Sequence, residues 1–495
     1  MRKTIDTTLQ FDNSYARLSP QLYQSIEATA VPAPQLLKFN QPLAAHLGLD
    51  SGQLDREQLA ALFSGNQLPT GAEPIALAYA GHQFGHWVPQ LGDGRALLLG
   101  EVIASDGRRY DLQLKGSGPT RFSRRGDGRA ALGPVLREYL VSEAMAALGI
   151  ATSRTLAAVA SGEQVWREEA LPGAILTRVA ASHLRIGTFQ YVAAHGDLAL
   201  LRQLTDYTIA RHYPTAADSD NPARALLEQL TTRYAALVSD WLQVGFIHGV
   251  LNTDNCSIAG ETLDYGPCAF LDHYHPDQTF SSIDRDGRYA YANQPAIMQW
   301  NLARFAETLL PLIDRDEARA IAIATEVIES YPAQQQQCWQ QRMCAKIGLP
   351  AAQAADSALL QQLLTLMADQ GADFCLTFHQ LATAIDASGS DQLWQQFPNQ
   401  QPLQQWLSAW RQQLQQAAIT PATARATMSR HNPVLIPRNH QIEAVISAAL
   451  TQQDRQPFDD LLAALQQPWQ ELPITARYQQ PPTAAERVEA TFCGT

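Results

Sequence analysis

Between Leu91 and Val179 short apolar runs are cut by Asp-Gly and Ser-Gly turns, and after about Asp197 that texture gives way to long amphipathic stretches. A period of two followed by a period near 3.6 commits the chain to an α+β architecture, with a strand-rich part ahead of a helical one. In the first part Asp93-Gly94 and Asp106-Gly107 are each flanked by apolar residues, which predicts two hairpin turns. Leu97-Leu98-Leu99 and Val102-Ile103 lie between them, and Arg109–Lys115 follows as the third strand. Tyr110, Leu112 and Leu114 alternate there with Asp111, Gln113 and Lys115, so Lys115 projects from the polar face. A helix is predicted next, with Pro134 at its first position, Leu136, Tyr139, Leu140 and Met145 on its apolar face, and Gly149 at its C-terminal cap. Two more strands, Thr155–Ala160 and Ala174–Val179, flank a turn at Ser161-Gly162.

Short helices, Pro42–Leu47 and Arg56–Phe63, precede the sheet, and the second part predicts helices over Leu198–His212, Ala223–Val244, Ile297–Leu310 and Glu317–Tyr331. The glutamine-rich tracts Gln334–Gln337 and Gln395–Gln416 read as helix surface, because Trp, Leu and Ile recur through this region. These patterns divide the chain into a strand-rich N-terminal lobe with its extension, 1–190, a helical C-terminal lobe, 191–480, and a tail, 481–495.

Composition narrows the class. With 46% hydrophobic and 17% charged residues over 495 positions, the chain is a folded protein. Its net charge of −12 disfavours non-specific binding to nucleic acid or to a membrane surface. No apolar run approaches the ~18 residues of a membrane span, and the first ten residues lack the apolar core of a secretory signal. Six cysteines, none spaced C-x-x-C, are neither a disulfide framework nor a zinc site. The expected compartment is the cytoplasm.

Chemistry concentrates in a few segments. Leu91-Gly92-Asp93-Gly94-Arg95-Ala96 can bring backbone N–H groups close to phosphate oxygens. Lys115 on the third strand and Glu138 or Glu143 on the next helix could form an ion pair; the two acids lie about 140° apart around the axis, and Glu138, in the first turns, is preferred. Gly116–Gly128 is a loop of glycines and arginines suited to an anion, and Arg178 and Arg185 add two more cations. The order strand, strand, strand, helix, strand, strand resembles the small lobe of a protein kinase.

Phe246-Ile-His248-Gly-Val-Leu-Asn-Thr-Asp-Asn255, followed by Asp264-Tyr-Gly266, strengthens that likeness. His248 and Asn255 fit the spacing of a kinase catalytic loop, and Asp264 stands where the Asp of Asp-Phe-Gly binds metal. Asn255 and Asp264 suffice for Mg2+, which takes one or two protein oxygens and the rest from phosphate and water. The base position, however, holds Val250, and Asp254 is the nearest carboxylate that can accept a proton. His82 and His86 have a zinc-ligand spacing only on a helix, against which Gly81 and Gly85 argue. Cys256 and Cys268 flank the motif, and a free cysteine is more often packing material than a redox centre.

With these segments the chain resembles the selenoprotein O family, kinase-like proteins that transfer AMP to other proteins. The likeness is carried by Tyr79-Ala-Gly-His-Gln-Phe-Gly-His86, Leu114-Lys-Gly-Ser-Gly-Pro-Thr-Arg-Phe-Ser-Arg-Arg-Gly-Asp-Gly128, His248–Asn255, Asp264-Tyr-Gly-Pro267 and Asn432-Pro-Val-Leu-Ile-Pro437. The resemblance implies a protein-kinase-like two-lobed fold with ATP inverted in its cleft. It implies nucleotide contacts from Gly92, Gly94, Arg95, Lys115, Asp127, Gly128, Arg178 and Arg185, and from Asp264 through the metal. It makes Asn255 and Asp264 the metal ligands, Asp254 the proton acceptor and Glu138 the partner of Lys115. The implied product is AMP on a Ser, Thr or Tyr hydroxyl, with Mg2+ or Mn2+ as the ion; UTP and UMP transfer stay open. Two other readings are an ordinary kinase moving the γ-phosphate, against which Val250 argues, and a non-catalytic nucleotide-binding scaffold, against which the Lys115, Glu138, Asn255 and Asp264 set argues. Eukaryotic members of the family carry selenocysteine near the C-terminus and bacterial ones commonly a cysteine; Cys493 keeps the cysteine without a second redox residue beside it, a departure that leaves a redox link a hypothesis only.

Overall fold

The computed structural model describes residues 4–350, 353–386 and 391–492. An antiparallel sheet lies in the first part, and helices dominate the rest, as an α+β fold requires. Its strands are β1 (Tyr23–Ser25), β2 (Gln35–Phe39), β3 (Ile75–Leu77), β6 (Ala96–Ile103), β7 (Arg109–Lys115), β8 (Ala130–Ala131), β9 (Arg154–Trp166) and β10 (Ala170–Ala180). They run in the order β1-β3-β6-β7-β10-β9-β2, with β8 on β10. A separate two-stranded hairpin, β4 (Gly81–Gln83) and β5 (His86–Val88), stands beside it.

The β6–β7 hairpin turns at Asp106-Gly107 as predicted, with Ile103 opposite Arg109. Asp93-Gly94 is not a hairpin tip. Asp93 is buried, and its Oδ2 accepts the Leu77 N–H at 3.1 Å and the Gln113 side-chain N–H at 3.2 Å, so the local reversal falls instead at Phe84-Gly85. Ser161-Gly162 is not a turn either. It is a bulge inside β9, where Gly162 has φ +77° and a Cβ would come 2.7 Å from that of Ala33. The chain reverses at Arg167–Glu169, which lets β9 and β10 pair from Arg154 opposite Val179 to Trp166 opposite Ala170.

Both faces of the sheet are buried. Leu112, Leu114, Leu156 and Ile175 join one apolar cluster with Phe63 and Leu43, from helices α2 (Arg56–Phe63) and α1 (Gln41–His46). Leu98, Leu136 and Leu140 join a larger cluster that continues through Leu226 and Trp241 to Trp410. The polar face of β7 is therefore not solvated, because Asp111 and Gln113 are buried on it beside the half-buried Lys115.

Helix α3 (Leu132–Ala147) begins two residues before Pro134, which stands third in it, and Gly149 follows its cap with φ +82°. Helices α4 (Ile186–Ala194), α5 (Leu198–His212), α6 (Pro222–Val244), α7 (Gln294–Ile313) and α8 (Glu317–Lys346) build the second part. Gln334–Gln337 lies within α8, and Gln400–Gln416 is a helix burying Leu403, Trp406, Leu407, Trp410 and Leu414; most of these glutamines decorate helix surface, while Gln335 and Gln413 are buried. Among the described residues no helix is long and apolar enough to cross a membrane.

Helices α9 (Asn439–Ser447) and α10 (Gln456–Leu465) return to the N-terminal part and cover α3. The Phe458 ring meets that of Tyr139 edge-on at 5.5 Å, and Lys38 pairs with Asp459 at 2.6 Å. Phe458 is buried, so Phe458→Ala should lower unfolding free energy by about 3–4 kcal/mol, read from urea denaturation. The tail also docks: Thr491 is buried and its hydroxyl donates to the Pro267 carbonyl at 2.6 Å. Cys493 lies outside the described residues.

Candidate active site

Short pairing brings the two motif segments together. Phe246-Ile247 forms a two-residue antiparallel ladder with Ala269-Phe270, so residues 248–255 and 264–267 leave it side by side. His248 ties them: its Nε2 donates to the Leu263 carbonyl at 3.1 Å, and burial lowers its pKa, so the ring is neutral.

Asp264 has φ +68°, an uncommon conformation for aspartate, and its carboxylate meets three cations. Arg178 Nη2 lies 2.6 Å from Oδ1, Lys115 Nζ 3.3 Å from Oδ1, and Arg185 Nη2 3.3 Å from Oδ2. Burial alone would raise its pKa, but Arg178, Lys115 and Arg185 outweigh burial and hold it well below the usual carboxylate range. Glu138, preferred over Glu143, backs this cluster. It accepts Lys115 Nζ at 2.6 Å and Arg178 Nε at 2.8 Å, while Glu143 takes Arg154 and Asn40. Two cations thus bridge two carboxylates, and the alternation along β7 and β10 is what aims them inward.

Arg185 is fixed on its other sides. Its guanidinium lies over the Tyr79 ring at 4.5 Å, donates to the His183 carbonyl at 3.1 Å, and stands 3.7 Å from Asp93. Gln113 accepts from Arg178 at 3.3 Å.

These groups open on a cleft of about 440 Å³. Gly92, Gly94, Arg95, Lys115, Asp127, Gly128, Arg178, Arg185, Asp254, Asn255 and Asp264 all line it, and Glu138 stands behind Lys115. Asp127 is exposed at the rim and paired with Arg167 at 2.9 Å. Val250, on the same wall, offers no titratable group. Asp254 is buried; burial pushes its pKa up to about 6, against a lowering hydrogen bond from Gln83 at 3.1 Å. Its Oδ1 has no partner among the described residues.

The oxygens fit a divalent ion bound with phosphates. Asn255 lines the cleft, and its Nδ2 donates to the Val250 carbonyl at 2.8 Å, which fixes the amide and leaves Oδ1 outside that bond. Asp264 supplies a carboxylate held ionised. Among the described residues no cluster of three His, Cys, Asp or Glu could hold a metal without such help.

Some participants were not legible beforehand. Asp93 and Gln113 orient arginines, and Tyr79 and Gln83 sit in a quoted motif for which spacing suggests no role. His82 and His86 lie on opposite strands of the β4–β5 hairpin, and His82 Nδ1 pairs with Gln190 at 2.8 Å, so the helical zinc spacing does not arise. Cys256 and Cys268 are buried, and burial raises both thiol pKa values, consistent with packing.

Comparison with known proteins bears on this cleft. A family model described as protein adenylyltransferase SelO matches residues 6–466. The chain is similar to the protein nucleotidyltransferase YdiU of Rhizobium rhizogenes, 56% identical over 488 residues, covering 98% of this chain and 97% of that relative. It is likewise similar to the protein nucleotidyltransferase YdiU of a Bradyrhizobium species, 54% identical over 485 residues, covering 98% and 99%. A match of this length and identity has one reading: the chain belongs to the SelO family of protein adenylyltransferases.

Proposed function

We propose that the cleft binds ATP and passes its AMP moiety to a Ser, Thr or Tyr hydroxyl of another protein, within a kinase-like arrangement of lobes 1–190 and 191–480 closed by the tail 481–495. Lys115, Arg178 and Arg185 bind the terminal phosphates at the base of the cleft, with the α-phosphorus turned outward, while the glycine turn at Gly92 and Gly94, together with Arg95, Asp127 and Gly128, contacts the rest of the nucleotide. The acceptor oxygen attacks the α-phosphorus and its proton goes to Asp254; the bond from that phosphorus to the bridging oxygen breaks, and pyrophosphate leaves. Charge develops on the pyrophosphate, where the arginines stand. A divalent ion such as Mg2+ or Mn2+, held by Asn255 and Asp264, would add further neutralisation there.

The observation that carries this reading is the pairing of an apolar Val250 with a buried Asp254 whose Oδ1 has no hydrogen-bond partner among the described residues. A buried carboxylate oxygen without a donor is a strong acceptor for an incoming hydroxyl. The proposed phosphate contacts are common to ATP and UTP, so they do not choose between AMP and UMP transfer.

Incubation with a protein mixture and ATP labelled at the α- or the γ-phosphate tests it. Label is expected on protein from α only, and Asp254→Asn should slow its appearance by on the order of 10²-fold. Label from γ only would make the chain a kinase, and none from either would make it a scaffold.

A further inference from the structure

The motif Tyr79–His86 has no assigned chemistry, yet three successive residues of its hairpin hook onto three successive residues of the catalytic segment. The His82 N–H donates to Thr253 Oγ1 at 2.7 Å, and the Phe84 N–H donates to Asn252 Oδ1 at 3.0 Å. Between them the Gln83 side chain donates to Asp254 Oδ2 at 3.1 Å, the one side-chain hydrogen bond that carboxylate receives among the described residues. The approach is close enough to exclude any side chain at Gly81, where a Cβ would lie 2.7 Å from Asp254 Oδ1 and 3.0 Å from its Cβ. Thr253 is held in turn, donating to Gln190 Oε1 at 2.7 Å. The hairpin pairs with no strand of the main sheet, so these contacts are what its inner edge serves.

We infer that Gln83 is a positioning residue for nucleotidyl transfer: it donates to Asp254 Oδ2 while the Gly81 backbone packs against Oδ1, and together they hold the carboxylate in one orientation. This rests on the reading of Asp254 as proton acceptor. A carboxylate free to rotate about its last bond would present either oxygen and reach a productive geometry less often. Donation from a neutral amide orients the group without placing beside it the counter-charge that a lysine or arginine would. Gln83 lines the cleft beside Asp254, and among the described residues its side chain bonds Asp254 and no member of the Lys115, Arg178, Arg185 and Asp264 cluster, so turnover and ATP binding are measured separately.

The test uses Gln83→Met, which keeps length and packing but removes the donor, and Gly81→Ala, which pushes the hairpin off Asp254 by a different route. Transfer from α-labelled ATP is measured alongside equilibrium binding of a fluorescent ATP analogue, which also reports that each variant is folded. Each variant is expected to lose on the order of 10- to 100-fold in kcat while KM for ATP and analogue affinity stay within about twofold. Asp254→Asn combined with Gln83→Met should be no slower than Asp254→Asn alone, because the second change acts through a group already removed. Wild-type kcat in Gln83→Met, a loss confined to KM for ATP, or multiplicative losses in the double variant would each overturn the inference. If Asp254→Asn itself keeps wild-type kcat, the proton-acceptor reading falls first and the inference with it. If Asp254→Asn is slow and Gln83→Met is not, only the inference falls.

Discussion

Asp264→Ala is expected to abolish transfer, by on the order of 10³-fold or more, while metal-free affinity for ATP rises about tenfold. The two effects have opposite signs because the carboxylate has two jobs. In the structure it neutralises Lys115, Arg178 and Arg185, which meet it at 3.3, 2.6 and 3.3 Å. Phosphate oxygens entering the cleft compete with it for those cations and are repelled by its charge. Removing it leaves Lys115 and Arg178 paired with Glu138 alone and Arg185 beside Asp93 alone, so each cation has more charge to offer the nucleotide and binding measured in EDTA strengthens. In the proposed function turnover draws on the carboxylate as an oxygen ligand beside Asn255, and alanine has none to give. The pair of measurements is a fluorescent-nucleotide titration in EDTA and a single-turnover assay with Mg2+ or Mn2+. Retained turnover would show that Asp264 holds no metal, and weakened metal-free binding would show that it does not compete with phosphate.

The part of this site that could be read in advance is the part written in short range. Period-two alternation along Arg109–Lys115 points Lys115, Gln113 and Asp111 the same way, and helical spacing separates Glu138 from Glu143. Spacing within His248–Asn255 and on to Asp264 likewise survives folding unchanged, because a two-residue ladder holds the segments together. Partners brought from afar leave no such trace. Gln83 reaches Asp254 across 171 positions, and Lys38 reaches Asp459 across 421. The misread turns have a related cause. Asp-Gly and Ser-Gly mark positions where the backbone can bend, but whether the bend closes a hairpin depends on the partner strand. Asp93 is drawn inside by the Leu77 N–H and Gln113, and Gly162 is pressed against Ala33, so both became irregularities within buried structure. The burial of the polar face of β7 was equally invisible, since it takes the second apolar cluster to cover it.

Glu138→Ala should cost about 3–5 kcal/mol of unfolding free energy and also raise KM for ATP by on the order of tenfold. Glu138 is 3% exposed and accepts Lys115 at 2.6 Å and Arg178 at 2.8 Å and 2.5 Å. Alanine leaves two cations facing each other, with only Asp264 between them and a cavity where the carboxylate stood. Arg178 is itself buried and cannot turn to water, so its desolvation goes uncompensated. Lys115 loses the anchor that aims it into the cleft, which is why the phosphate contact weakens along with the fold. The pH dependence carries a sign. Burial would raise the Glu138 pKa, but Arg178 and Lys115 more than offset it, so the folded value is below the unfolded one. Its stabilisation is then present above the ordinary glutamate range and is lost as pH falls through the lowered folded value. The gap between wild type and Glu138→Ala in urea denaturation should therefore be full at neutral pH and shrink once the medium is acidic enough to protonate Glu138 in the folded protein. A gap that stayed constant down to strongly acidic pH would mean the loss is one of packing volume and not of charge. Glu138→Gln separates the two further. It keeps the volume and one acceptor oxygen, so it should recover the packing share of the stability and little of the Lys115 alignment, leaving KM for ATP near that of the alanine variant.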